Sequence, residues 1–225
     1  MRDRNARMSR ATASDGPALS RRRLLASGGA IAATGVAGCL GGGGGERQLP
    51  VPVMGDPEAS VTVAAYEDFR CPHCRNYNLN ELPAIVSEYV EPGTIRYEHR
   101  DFPVVNETSW RAANAARAVQ EAGSISQYWQ FAKLLFENQR SLSLDTYEQL
   151  GNEVGVDGAK LRDPAKNQTY NPTIKADRQR GADIGVKATP TIVVNGSFVT
   201  DANGNVTHDS NAIAAAIEQT QSESG

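Results

Sequence analysis

Cysteine is scarce in this chain, with three in 225 residues, at positions 39, 71 and 74. No second Cys or Cys/His pair accompanies Cys71-Pro72-His73-Cys74, so a structural zinc site, which needs four ligands, is excluded and no metal is expected. Arg75 stands where c-type haem attachment requires histidine directly after the second cysteine. Apart from this pair the folded part has no cysteine for a structural disulfide, and about 180 residues bury a core without one. Long apolar runs are also missing. The run over residues 24–38 is glycine-rich and shorter than the roughly 20 residues that cross a bilayer. Nor is basic charge in excess. Seven of the 23 Lys+Arg but only two of the 26 Asp+Glu precede Cys39, so the remainder carries 16 basic and 24 acidic residues, a net of −8. An acidic surface argues against nucleic acid as a partner. Residues 46–60 have room for one small edge strand and none for a dimerisation module, so a monomer is expected.

What is present centres on Cys71-Pro72-His73-Cys74, read as a redox-active dithiol that needs no further cofactor. The thiolate is the reactive form, and unpaired N–H groups at a helix N-terminus stabilise it. Pro72 suits the first helical position, which puts Cys71 at the helix start and Cys74 one turn on, within disulfide reach. His73 adds a positive charge or a donor near the Cys71 sulfur. An inert structural disulfide is the alternative, but a bridge closing so short a loop constrains little of the unfolded chain.

Along the chain, residues 61–66 are apolar on both faces and predict a central strand. Tyr77, Leu79, Leu82, Ile85, Val86, Tyr89 and Val90 form a helical stripe that Pro83 should bend or break. Residues 94–102 alternate as a second strand. Four helices are predicted next, over 109–122, 125–138, 145–154 and about 173–184, separated at Gly123, 141–143, 155–158 and Asn171-Pro172. Trp110, Tyr128, Trp129, Phe131 and Phe136 lie among them at core spacing. Residues 191–194 and 197–200 read as a hairpin about Asn195-Gly196, followed by a helix over 211–220 capped by Asp209 or Ser210 and a disordered tail, 221–225.

The N-terminus has its own character. Ser20-Arg21-Arg22-Arg23-Leu24-Leu25 and the Ala/Gly-rich run behind it look like a twin-arginine export signal. Val36-Ala37-Gly38-Cys39 resembles the lipobox of exported lipoproteins, which implies lipid on Cys39 and anchorage to the outer face of the cytoplasmic membrane. The expected organisation is a signal over 1–39, a flexible tether over 40–58 and a domain over 59–220, with a helical insertion over 103–185.

A strand, a CxxC helix, a strand, inserted helices, then Thr-Pro before a hairpin and a last helix resemble the α/β thioredoxin fold as elaborated in the DsbA-like family. The likeness covers residues 61–220 and rests on the segment from Tyr66 through Cys74, on Tyr97-Glu98-His99-Arg100-Asp101-Phe102-Pro103, and on Ala188-Thr189-Pro190-Thr191 with Asn195-Gly196. It implies that Pro190 is cis and faces the dithiol, leaving the Thr189 backbone to pair with an extended substrate. It further implies that Cys71 forms a mixed disulfide with substrate and that Cys74 resolves it. Pro72-His73 is the dipeptide of the oxidising members. Some relatives place an acid six residues before the first cysteine; here that residue is Ala65, with Glu67 and Asp68 nearer. Alternation should turn one of these inward, and Asp68 is expected to accept a proton from Cys74. The resemblance implies an oxidoreductase that donates disulfides to secreted proteins and is served by a membrane redox partner. An isomerase, a reductase for cytochrome assembly and a non-catalytic peptide-binding lipoprotein are the alternatives; Thr189 also resembles isomerase members.

Overall fold

A computed structural model of the chain describes residues 48–224. The expected signal, Cys39 and residues 40–47 of the expected tether lie outside these residues. Five strands form one sheet in the order β1-β3-β2-β4-β5: β1 (Val53–Gly55), β2 (Val61–Glu67), β3 (Ile95–Asp101), β4 (Thr191–Val194) and β5 (Ser197–Phe198). β2 is internal, parallel to β3 and antiparallel to β4. Its alternation decides two layers. Val61, Val63 and Ala65 join Ile95, Tyr97, Ile192 and Val194 on one face, under Tyr77, Leu82 and Ile85 and under Ile213 and Ile217 of α8 (Ser210–Ser224). Tyr66 faces the other way, with Phe102, Val186 and Val193.

The helix carrying the cysteines is not regular. It begins as α1 (Pro72–Asn76), widens into a π-helical turn over Tyr77–Glu81, returns to α2 (Leu82–Ile85), and ends in a second π turn, Val86–Val90. Pro83 cannot donate to the Leu79 carbonyl. The π turn absorbs that loss, and Pro83 falls in the first turn of α2, where an N–H is not required.

The insertion holds α3 (Glu107–Ala122), α4 (Ile125–Glu137), α5 (Leu144–Glu153), α6 (Ala159–Asn167) and α7 (Asn171–Asp183). Asn106 and Ser124 each close a capping box, with Ser109 and Gln127, which starts α3 and α4 where they start. Tyr128, Phe131 and Phe136 are buried against Phe69, Leu150, Leu161 and Ile174 and are core, whereas Trp110 and Trp129 pack against it half-buried at its edge.

Several expectations need correction. α6 has no helical signature of its own in the sequence, because only Leu161 and Ala165 mark its buried side and Pro164 lies inside it. Asn171-Pro172 does not interrupt a helix but begins one, with the proline in the first turn of α7. β5 stops at Phe198. Residues 48–58 are not tether: Leu49 N–H donates to Thr173 Oγ1 at 2.9 Å, Arg117 and Gln120 donate to the Pro50 carbonyl, and β1 pairs with β3. The tail is not disordered through 224, since α8 continues to Ser224. At the hairpin, Asn195 and Gly196 both have positive φ, as a two-residue turn between twisted strands requires.

Candidate active site

Cys71 is the N-cap of α1, in extended conformation, and Pro72 follows in the first turn. The local sequence therefore aims the first N–H groups of the helix at one sulfur. The Cys71 thiol is 3.2 Å from the carbonyl of Thr189, to which it donates, and the Thr189–Pro190 bond is cis. Residues far apart in the chain, Cys71 and Cys74 on one side and Thr189 and Pro190 on the other, thus meet at the end of β2. No bond joins the two sulfurs here, and both cysteines are buried, Cys71 to 6% exposure and Cys74 fully.

The two sulfurs differ in acidity. Cys71 is lowered to about 5, chiefly by the hydrogen bond from the Cys74 thiol, with burial opposing and the Thr189 side chain and the backbone N–H groups of Cys74 and His73 assisting. Cys74 is raised well above the ordinary range, first by burial and then by its bond to Cys71 and the charge of Glu67. One sulfur is a thiolate at neutral pH and the other a thiol. His73 is exposed and reaches Cys71 through its backbone N–H; its ring lies 6.4 Å from that of His208.

A depressed thiol pKa stabilises the folded, reduced protein above that pKa. The contribution is complete above the unfolded value of about 9 and is lost as pH falls to about 5. At pH 7 the two units above the folded value correspond to at most about 3 kcal/mol, less whatever solvent screens. In reductant, the stability advantage of the protein over its Cys71→Ser variant is therefore expected to shrink between pH 7.5 and pH 5 in urea unfolding. A gap that does not change with pH would contradict the assigned thiolate.

The two acids before the cysteines part company. Glu67, in strand register with Val63 and Ala65, turns inward; its Oε1 accepts from Asn78 Nδ2, which also donates to the Cys74 carbonyl, and its Oε2 lies 3.2 Å from His99 Nδ1. Burial raises its pKa, against the His99 and Asn78 hydrogen bonds. Asp68 is corrected: its carboxylate is occupied by the N–H groups of Arg70, Val104 and Val105 at 2.8, 2.8 and 2.9 Å, and only its own N–H contacts Cys74 Sγ, at 3.5 Å. Asp68 shapes the loop, and Glu67 is the acid whose charge bears on the buried sulfur.

Two further residues shape the site. His99 lies wholly buried between Glu67 and Asp101 Oδ1, the latter at 3.3 Å. Burial disfavours its charge, but the bonds to Asp101 and Glu67 outweigh this and raise it to about 9. The alternation of β3 would have placed His99 and Asp101 on one face; what it lacked was the register that sets Ala65 beside His99 and Glu67 beside Asp101. Gln139, just after α4, donates its side-chain amide to the carbonyls of Phe69 and Cys71 at 3.0 and 2.9 Å and so fixes the loop that presents the dithiol. No sequence signal marks it.

Comparison with known proteins bears on the fold and the activity. Residues 48–218 match the protein family described as Thioredoxin. The disulfide bond formation protein D of Bacillus subtilis is 26% identical over 154 residues, which cover 66% of this chain and 69% of that protein. The crystal structure of oxidised BdbD from Bacillus subtilis is similar with a TM-score of 0.68 at 23% identity, covering 75% of this chain and 91% of that one. DsbA of Chlamydia trachomatis gives 0.68 at 18% identity, covering 80% and 97%. With the family match spanning most of the described residues, the chain belongs to the thioredoxin family, as a DsbA-like thiol-disulfide oxidoreductase.

Proposed function

We propose that this oxidoreductase is exported, held at the outer face of the cytoplasmic membrane by lipid on Cys39, and donates its Cys71–Cys74 disulfide to secreted proteins. The observation that carries the direction is the acidity of Cys71: a thiolate stabilised to a pKa of about 5 favours the reduced protein, so the disulfide is readily given away. A client thiolate attacks Cys71 Sγ of the oxidised protein, the Cys71–Cys74 bond breaks, and the electron pair leaves on Cys74. That sulfur is a poor leaving group unless protonated, and the buried Glu67–His99 pair, which holds a proton between its two members, is the group that relays one to it. A second client thiolate then attacks the client sulfur of the mixed disulfide and expels the Cys71 thiolate. The client is oxidised by two electrons and the protein reduced by two. A membrane redox partner takes these electrons and restores the disulfide. Thr189 and Pro190 present backbone to the extended client.

Equilibration with glutathione tests the direction. The potential is expected well above thioredoxin's, about −270 mV, and a value at or below it would overturn donation in favour of reduction. Mass spectrometry of the protein taken from membranes tests the anchor, which an unmodified Cys39 would exclude.

A further inference from the structure

Residues 48–224 carry 15 Lys+Arg against 23 Asp+Glu, yet the cleft between α7 and the loop that follows β3 has the opposite sign. It has a volume of about 620 Å³ and its floor is apolar, formed by Phe102, Val104, Trp110 and Val186. Lys175, Arg178 and Lys187 stand around it, all exposed. None of the three forms an ion pair among the described residues. Arg178 lies over the Phe102 ring at 5.9 Å, a contact that leaves its guanidinium edge free for a carboxylate. Glu107, which lines the adjoining hollow, is engaged by Arg111 at 2.7 Å. α7 lies close enough to the sheet to form this wall because of Gly181, where a Cβ would come within 2.9 Å of the Phe102 and Tyr66 rings.

Both walls are extensions of segments that touch the cysteines. On one side Val104 and Val105 donate to Asp68, whose N–H contacts Cys74 Sγ. On the other, Val186 and Lys187 lead in two residues to Thr189, whose carbonyl accepts from Cys71. An extended chain advances about 3.3 Å per residue, so a client whose cysteine is at Cys71 reaches Lys187 within roughly four residues.

We propose that this cleft docks client polypeptide carrying an acidic side chain within about four residues of the cysteine being exchanged, together with an apolar side chain for its floor. This rests on the thiol-exchange reading above and names the client chemistry that reading leaves open. The net acidic charge of the described residues disfavours such a segment elsewhere on balance, so the three cations here both guide and orient it.

The test uses the oxidised protein and reduced peptides with a single cysteine and a neighbouring aliphatic residue, differing only in whether two glutamates or two lysines lie within four positions of the cysteine. The glutamate peptide is expected to form the mixed disulfide about tenfold faster at low ionic strength, with the preference collapsing in 0.5 M salt. Arg178→Glu combined with Lys187→Glu, both at exposed positions, is expected to reverse the order. An unchanged order in that variant, or rates in the native protein that ignore peptide charge, would overturn the docking site while leaving thiol exchange intact. Absence of reaction with either peptide would remove both.

Discussion

Serine at position 71 is expected to reduce oxidation of a reduced client, such as unfolded ribonuclease, to the uncatalysed background. Serine at position 74 is expected to leave a protein that captures disulfide-bearing clients as stable adducts through Cys71. The asymmetry follows from the two sulfurs. Cys71, lowered to about 5, is both the nucleophile and the better leaving group, while Cys74 is buried and held protonated. Alkylation of the reduced protein should show the same division, with a rate at Cys71 that rises through about pH 5 and a Cys74 that stays unmodified until the protein unfolds. Glu67→Gln keeps the bonds to Asn78 and His99 within reach but removes the acid, and disulfide transfer is expected to slow by about 100-fold or more. Refolding rates and adduct masses check these outcomes together; catalysis by Cys71→Ser, or equal alkylation of the two thiols at pH 6, would refute the division of roles.

Arg117→Met is expected to cost about 3–5 kcal/mol of stability, read from urea unfolding. Arg117 is entirely buried in α3, with Nε on Asp101 at 2.7 Å and Nη2 on Asp177 at 2.6 Å. Arg117 is the leading cause that holds Asp101 below the ordinary carboxylate range against burial. Removing the guanidinium leaves Asp101 with His99 and Asp177 with Arg100 as their remaining cationic partners, so two buried carboxylates are under-compensated in the interior, where lost compensation is far more expensive than the pair itself is favourable. The chain of contacts runs on from Asp101 through His99 to Glu67, so the substitution is also expected to disturb the acid beside Cys74. Adding Asp101→Asn and Asp177→Asn should recover much of the loss, because neutral amides remove the stranded charge. A single variant less than about 1 kcal/mol below the native protein would show that the ion network contributes little.

The buried network also explains which parts of the site could be read in advance. Cys71, Pro72 and Cys74 declare themselves because a proline next to a cysteine at the end of an apolar run is a local signal: helix start, thiolate and disulfide reach all follow within four residues. The strand turning one acid inward was equally legible, but which acid was not. Alternation left Glu67 and Asp68 equivalent until the register with β3 put His99 and Asp101 on the side of Glu67, and the loop at Val104 and Val105 claimed Asp68. α6 escaped because its buried side is two residues long and contains a proline, so its existence depends on contact with neighbouring helices rather than on its own pattern.

By itself, the amino-acid order determined most of the strands and helices, the central strand and the dithiol at a helix start, because each of these depends on residues close in sequence or on a repeated period; that Pro190 faces the dithiol followed only from the resemblance of Ala188-Thr189-Pro190-Thr191 to the DsbA-like family. Tertiary structure alone decided that Gln139 holds the cysteine loop, that His99 is a buried cation joined to Glu67, and that cations of α7 and Lys187 gather beside the exchange site on an otherwise acidic protein. Those features are juxtapositions across 30 residues or more, and hydrogen bonds and desolvation act on distance in space, which spacing along the chain does not encode.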